Sequence, residues 1–279
     1  MKKSFWAMLG LAASLIFTGC GGDTGNEPAP ANNGGDKKVE ATIKVGATPV
    51  PHAEILAEIK SDLQAEGITL EVVEFNDYVQ PNIALNDKEL DANFFQHEPY
   101  LNDFVKEHSE MKLKNAGGVH VEPMGIYSSK IKKLDEVPFG GKVSIPNDPT
   151  NGGRALLLLE KAGFITLREG VGAEATVQDI ISNNNDLQIQ EIEAAQLPRT
   201  LDDVDISVIN TNFAMNANLN PVNDALFMED KTSPYVNILT VRDGDENRPE
   251  IQALVKTLQS EKVKNFINEK YKGAIVPAF

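Results

Sequence analysis

The side chains that could perform catalysis or bind a metal do not form a complete local motif. His97-Glu98 opens like the zinc-binding sequence HExxH, but Leu101 stands at the position of the second histidine. The sequence GGK at 140–142 is followed by Val143 instead of Ser or Thr, so it is not a phosphate-binding loop. The nucleophile elbow G-x-S-x-G does not occur. We therefore predict no metal and no cofactor, although residues far apart in sequence can still assemble a catalytic triad.

The one cysteine, Cys20, predicts a lipid anchor. It follows an apolar run at 5–17, which is shorter than the roughly 20 residues that a membrane helix needs and fits a signal peptide at 1–19. The three residues after this run, Thr18-Gly19-Cys20, resemble the bacterial lipoprotein motif. In that motif the chain is cleaved before the cysteine, which becomes the acylated N-terminus. Residues 20–40 are rich in Gly, Asn and Pro, which predicts a flexible tether. We expect the protein to be lipid-anchored on the extracytoplasmic face of the cell membrane, with several acyl chains because one holds a protein weakly.

Composition indicates a soluble globular protein that does not bind nucleic acid. The 279 residues include 26 basic and 41 acidic side chains, a formal net charge of −15. Nucleic-acid binding needs a basic face, which this charge opposes. The length allows one large domain or two of ordinary size.

Strands and helices alternate from residue 41 onward. Period-two apolar patterns predict strands at 41–47, 68–75, 91–95, 111–116, 119–127, 142–145, 187–192, 206–209 and 237–241. Helical spacing predicts helices at 52–66, 79–86, 101–105, 151–162, 249–260 and 261–271, and a capping box of Thr176 and Asp179 precedes a helical segment at 177–182. This order is typical of an α/β protein with parallel sheets, divided here into two lobes. Ligands of such sheets bind beyond the carboxyl ends of strands.

The segments that follow these strands resemble a known family. They read FNDYVQPNIAL (75–85), DANFFQHEPYL (91–101), PNDPTNGGRALLLLEKAG (146–163), AAQLPRTLDDVD (194–205), VINTNFA (208–214) and EDKTSPYVNILTV (229–241). Together with the cysteine motif they resemble the methionine-binding lipoproteins of bacterial ABC importers, the NlpA lipoprotein family. The resemblance implies a two-lobe periplasmic-binding-protein fold (type 2-like) with a ligand cleft between the lobes. It places one lobe at 41–122 plus 232–279 and the other at 123–231, with crossings near 122–125 and 229–234.

The resemblance also implies the ligand and the residues that bind it. Its aromatic positions fall on Tyr78, Phe95 and Tyr100, with His97 in the same segment, and these would hold a methionine side chain. The head group would be held by Arg154, Asn210 and Asn237. Arg154 is expected in the first turn of a helix, whose N-terminus favours a carboxylate. The implied function is capture of methionine and its delivery to an ABC transporter permease, without catalysis.

Other interpretations remain open from the sequence. The ligand could be a methionine-containing dipeptide or a related amino acid. The protein could instead be a surface-anchored hydrolase, or an interaction lipoprotein with a relic pocket. Taken alone, Phe95 is more typical of a core residue, and Arg154 could form a surface ion pair with Glu160 or Asp148. If Arg154 faces an open, wet cleft, its loss should leave fold stability nearly unchanged.

Overall fold

The computed structural model describes residues 40–279. The predicted signal peptide, the lipidated Cys20 and the tether up to residue 39 lie outside the described residues. Among the residues that are described, none of the helices combines the length and apolar character required to cross a bilayer.

Strands and helices alternate along the chain much as the sequence predicts. The strands are β1 (Ala41–Ala47), β2 (Ile68–Glu74), β3 (Ala92–His97), β4 (Leu113–Val121), β5 (Gly125–Tyr127), β6 (Lys142–Pro146), β7 (Ile165–Leu167), β8 (Ile180–Asn183), β9 (Gln188–Ile192), β10 (Ile206–Ile209), β11 (Phe227–Met228), β12 (Val236–Arg242) and β13 (Val276–Pro277). The helices are α1 (Glu54–Ala65), α2 (Gln80–Asn86), α3 (Glu98–Glu107), α4 (Pro149–Lys161), α5 (Thr211–Asn216), α6 (Pro221–Asp224), α7 (Pro249–Leu258) and α8 (Glu261–Tyr271).

The first sheet joins the two ends of the described chain. Its strand order is β13-β4-β12-β3-β1-β2, with β1 parallel to β2 and β3, and with β12 antiparallel to β3 and β4. One core covers this sheet and includes apolar residues spaced three or four apart on α1, α7 and α8. That spacing aligns one apolar stripe of each helix with the sheet, which is why these segments fold as helices there.

The second sheet is built from the middle of the chain. Its order is β11-β5-β10-β6-β9, with β6 parallel to β9 and β10, and with β5 antiparallel to β10 and β11. The run Leu156–Leu159 of α4 contributes to its core. A separate antiparallel pair is formed by β7 and β8.

Three sequence predictions are wrong in detail. Both main sheets are mixed and not purely parallel. The strands predicted at 111–116 and 119–127 are one strand, β4, followed by the short β5, because Gly117 and Gly118 lie inside the ladder with β12. A Cβ on Gly117 would come within 2.8 Å of Val255, so this glycine permits close packing and does not end the strand. The predicted segment at 177–182 is a single helical turn, Val177–Asp179, which keeps its capping box, and then β8.

The chain passes between the two main sheets twice. It leaves the first sheet after β4 through residues 122–124 and returns before β12 through residues 229–235. By internal contacts, all described residues belong to one compact unit. The predicted limits of the two lobes, 41–122 plus 232–279 and 123–231, stay a prediction.

Candidate functional site

All seven predicted site residues line one cavity of about 330 Å³. Its walls are strand residues of the first sheet and residues from segments that follow strands of both main sheets. The predicted members are Tyr78, Phe95, His97, Tyr100, Arg154, Asn210 and Asn237. The others, which the sequence analysis did not single out, are Gln96, Glu122, Asn151, Thr211 and Asn212.

Aromatic rings form one side of the cavity. Tyr78 lies with its ring centroid 5.8 Å from that of Phe95, 5.7 Å from that of Tyr100 and 4.8 Å from that of Phe213. Phe213 belongs to α5, which follows the second sheet, so the cluster joins residues around both sheets. The Tyr78 hydroxyl donates to Asn212 Oδ1 at 2.6 Å, and this bond holds the Tyr78 ring in place among the other three rings. An apolar ligand side chain would fit against this wall.

His97 organises the entry of α3. It is the residue before the helix, and its Nδ1 accepts from the backbone N–H of Tyr100 at 3.1 Å. Its Nε2 then carries the proton and donates to Asn151 Oδ1 at 3.2 Å. Burial, and next the positive charge of Arg154, lower the pKa of His97 to about 3, so the ring is neutral near pH 7. In this structure His97 therefore acts as a neutral hydrogen-bonding residue.

Arg154 is buried and paired, and its position differs from two expectations. It lies in the second turn of α4, which starts at Pro149, and not in the first turn. It is also only 3% exposed, so it is not a surface residue. Its guanidinium donates to the carboxylate of Glu229 from Nε at 2.7 Å and from Nη2 at 2.5 Å. The surface ion pair with Glu160 or Asp148 is thus wrong, because the helix turns Arg154 inward, away from solvent. The partner Glu229 comes from the segment that returns to the first sheet.

Arg154 also keeps binding capacity for a ligand. Its Nη2 donates to the backbone carbonyl of Glu122 at 2.7 Å, and its guanidinium lies 4.2 Å from the ring centroid of Tyr235. Within residues 40–279, its Nη1 makes no hydrogen bond, and Arg154 lines the cavity. A guanidinium has five donors in a planar fork, which suits a carboxylate.

The asparagines offer both donors and acceptors to the cavity. Asn210 follows β10, and its Nδ2 donates to Asn151 Oδ1 at 2.9 Å. Its Oδ1 is buried and has no partner among the described residues, which usually signals a group that a ligand or water completes. Asn237 lies on β12 opposite His97, and its Oδ1 accepts from His52 Nε2 at 2.9 Å. The Nδ2 of Asn237 stays available as a donor.

The cavity therefore combines an aromatic wall with a polar end that carries both donors and acceptors. The donors suit an α-carboxylate, and the unpaired acceptor suits an ammonium group. Among the described lining residues there is no serine or cysteine that could act as a nucleophile. This set of groups can bind an amino acid with an apolar side chain.

Comparison with known proteins places the chain in a family. Residues 43–279 match the profile of a family described as NlpA lipoprotein. The chain belongs to the NlpA lipoprotein family. The resemblance found in the sequence is thereby confirmed.

Two relatives that match this chain over nearly their whole length are named for methionine binding. The D-methionine-binding lipoprotein MetQ of Escherichia coli K12 is 42% identical over 276 residues, which cover 98% of this chain and 97% of the relative. The methionine-binding lipoprotein MetQ of Bacillus subtilis is 41% identical over 281 residues, 99% of each chain.

Solved structures share the fold. A nutrient binding protein from Burkholderia cenocepacia, solved bound to methionine, is 48% identical with a TM-score of 0.82 over 85% of this chain and 100% of that one. The crystal structure of a methionine binding protein, MetQ, is 42% identical with a TM-score of 0.83 over 85% of this chain and 98% of that one. The predicted α/β binding-protein fold is confirmed.

Proposed function

We propose that this protein is an extracytoplasmic substrate-binding lipoprotein that captures methionine and delivers it to the permease of an ABC transporter. It binds its substrate without transforming it. The observation that carries the proposal is that one cavity has both an aromatic wall and a set of hydrogen-bond donors and acceptors suited to an amino-acid head group. Relatives across nearly the whole length are named for methionine binding, which supports the same ligand here.

The proposed binding residues divide the ligand into two parts. Tyr78, Phe95 and Tyr100 contact the thioether side chain, whose burial contributes about 1.5–3 kcal/mol, and each sulfur–aromatic contact adds about 0.3–1.5 kcal/mol. The head group is held by Arg154, Asn210 and Asn237. His97 lies between these polar residues and the aromatic wall, and it bonds Asn151 and the backbone of Tyr100. A dipeptide or a related amino acid is the second candidate ligand.

Mass spectrometry of the intact protein under native conditions tests the proposed ligand directly. The protein is purified without added ligand, so that any amino acid detected was retained from the cells. We expect a fraction of molecules with the added mass of one methionine. A different retained mass, such as that of a dipeptide, would replace methionine as the ligand.

Methionine is expected to bind roughly ten- to hundredfold more tightly than serine, because serine leaves the aromatic wall unfilled. Norleucine, which has the same length without sulfur, should lose less than about tenfold, since it forfeits only the sulfur–aromatic contacts. Isothermal titration calorimetry of ligand-free protein with the three amino acids measures the ranking. Equal affinities for methionine and serine would mean that the aromatic residues are core and do not contact ligand.

Replacing Cys20 with serine is expected to move the protein from the membrane fraction to the soluble fraction. Cys20 is the only residue of the chain that can carry the proposed thioether-linked lipid. The variant Thr18→Ser keeps a small residue before the cysteine and should stay with the membrane. Western blotting of fractionated cells gives the result, and a Cys20→Ser variant that remains membrane-bound would refute the anchor.

A further inference from the structure

A buried cluster of His52, His120 and Glu122 adjoins the cavity. His52 lies in the helical turn Pro49–Ala53 that follows β1, His120 is on β4, and Glu122 comes directly after β4. Glu122 Oε1 is 2.8 Å from His120 Nε2 and 3.2 Å from His52 Nε2. Both histidines are fully buried, and only Glu122 is itself part of the cavity wall.

The hydrogen-bond pattern fixes where the protons are. A carboxylate only accepts, so His120 carries its proton on Nε2 and donates it to Glu122. His52 donates from its Nε2 to Asn237 Oδ1 and lies beside the Glu122 carboxylate without a hydrogen bond to it. His52 Nδ1 then accepts from the Thr48 hydroxyl at 2.7 Å, while His120 Nδ1 has no partner among the described residues. Two ligands of a tetrahedral zinc ion lie roughly 3.4 Å apart, which is longer than the His120–Glu122 contact. The His120–Glu122 contact therefore has the length of a hydrogen bond between the two side chains.

Burial and the neighbouring polar groups have opposite effects on the pKa of Glu122. Burial is the largest effect and leaves the pKa of Glu122 raised, although His52, the Arg154 guanidinium and the backbone N–H of Asn212 each lower it. Burial lowers the pKa of His52 to about 4 and that of His120 to about 3, so neither ring brings a positive charge near pH 7. The neutral N–H donor of His120 favours the charged form of the carboxyl group through its hydrogen bond.

We propose that Glu122 accepts the α-ammonium group of the ligand, and that His52 and His120 are positioning residues that hold Glu122 as a carboxylate aimed for this contact. The proposal rests on the proposed function and deepens it. The unpaired Oδ1 of Asn210 is a second acceptor for the same ammonium group. The donors of Arg154 and Asn237 then serve the α-carboxylate, so the two ends of the zwitterion have separate partners.

His52 links the two halves of this arrangement. Its Nε2–H donates to Asn237 Oδ1, which leaves Nδ2 of Asn237 as the donor for a ligand, and the same Nε2 lies 3.2 Å from Glu122 Oε1. One neutral histidine therefore orients the Asn237 donor and packs against the Glu122 acceptor.

The proposal defines which derivatives fit. The amino group of methionine must be free and charged. In N-acetylmethionine and in dipeptides with methionine second, that nitrogen is a neutral amide, so no cation stands on the methionine α-carbon for Glu122 to accept. A dipeptide with methionine first keeps that cation but loses the carboxylate next to Arg154. Free methionine satisfies both ends.

The first test compares two ligands on one substitution. Glu122→Gln is expected to weaken methionine roughly thirty-fold or more, because a buried charge pair loses one member. The des-amino analogue 4-(methylthio)butanoic acid has no ammonium group, so its affinity should stay level or improve. Calorimetry of wild type and Glu122→Gln with both ligands gives four affinities, and an equal loss for both ligands would overturn the proposal. Failure of wild type to bind methionine at all would instead overturn the proposed function.

The second test reads the positioning role from a pH profile. The groups that face Glu122 are His52, His120 and Arg154 with its partner Glu229, and at longer range Tyr78 and Tyr271. Only the carboxylate form of Glu122 binds an ammonium group, so methionine affinity falls as pH falls through the pKa of Glu122. His120→Met removes one donor and should raise the pH of that fall by about one unit or more.

Matched variants separate positioning from general damage to the fold. His120→Gln keeps an amide N–H at the place of Nε2 and should restore most of the wild-type profile. His108→Gln alters a half-exposed histidine near the end of α3 and should leave the profile unchanged. A loss of affinity in His120→Met that is the same at every pH, or the same in His120→Gln, would overturn the positioning role. Should His120→Met fail to fold, the Glu122→Gln comparison and the His120→Gln profile still decide.

Discussion

Replacing Arg154 with alanine is expected to weaken methionine binding by about 2–5 kcal/mol, or roughly thirty-fold to several-thousand-fold. The α-carboxylate of the ligand loses its only proposed charged partner, and a carboxylate left unpaired in a buried site costs several kcal/mol. Arg154→Lys should rescue only part of the loss, because an ammonium group lacks the planar fork that serves Glu229 and the ligand together. Isothermal titration calorimetry of the three proteins measures the effect.

The same substitution is expected to lower fold stability, contrary to what an open, wet cleft would predict. Arg154 connects both segments that join the sheets, through the Glu122 carbonyl and the Glu229 carboxylate. Alanine leaves the Glu229 carboxylate, whose side chain is 14% exposed, with the backbone N–H of Met124 but without its charged partner. Melting curves should show this loss, and they should show none for Arg199→Ala, whose side chain bonds only the nearby Gln196 on the surface. A variant Arg154→Ala that binds methionine within about threefold of wild type, less than 1 kcal/mol, would leave Arg154 a structural residue only.

Replacing Gly153 with alanine is expected to destabilise the fold by about 2–3 kcal/mol, a fall in Tm of roughly 4–12 °C. In an exposed helix, alanine is more favourable than glycine by about 1 kcal/mol, so the sign here is reversed by packing. A Cβ at Gly153 would lie 2.2 Å from the backbone oxygen of Ala173, and no flexible side chain can relieve that contact. The clash would displace the part of α4 that carries Asn151 and Arg154.

A neighbouring glycine provides a graded control for this prediction. A Cβ at Gly152 would lie 3.0 Å from the backbone oxygen of Pro146, which is a milder overlap. Gly152→Ala should therefore lower Tm less than Gly153→Ala does. Differential scanning calorimetry measures both, and a Gly153→Ala protein as stable as wild type would mean that the helix can shift freely here.

The residues that follow strand ends could be predicted from the sequence because local patterns place them. Phe95 and His97 end β3, Asn210 follows β10, and the turn before α4 precedes Arg154. Parallel neighbours bring the carboxyl ends of their strands to one edge, so residues that are distant in sequence meet there. The structure brings all of the predicted residues to one cavity, while their contact with methionine stays a prediction.

The partners of these residues could not be predicted, because long-range pairing decides them. Glu229 meets Arg154 across 75 positions, and Asn237 meets His52 across 185. Nothing in the local sequence around Glu122 distinguishes it from an exposed acid at the end of a strand. Its proposed role depends on His120, two residues before it on β4, and on His52, which lies beside it because β1 and β4 belong to the same sheet.

The break predicted between the strands at 111–116 and 119–127 is wrong because long-range packing also decides the role of a glycine. The pair Gly117-Gly118 is typical of a turn when read locally, yet both glycines lie within β4. Because they have no side chain, Val255 can pack directly against Gly117 and Val236 against Gly118. The sequence alone does not say whether a glycine serves a turn or a close contact.

Titration of ligand-free protein with methionine, followed by chemical analysis of the mixture, tests the central claim most directly. Unfolding and dialysis in denaturant first remove retained ligand, and refolding then restores the empty cavity. We expect saturable binding of one methionine per chain, with all of the methionine recovered unchanged after prolonged incubation. The absence of binding, or recovery of a reaction product, would contradict it.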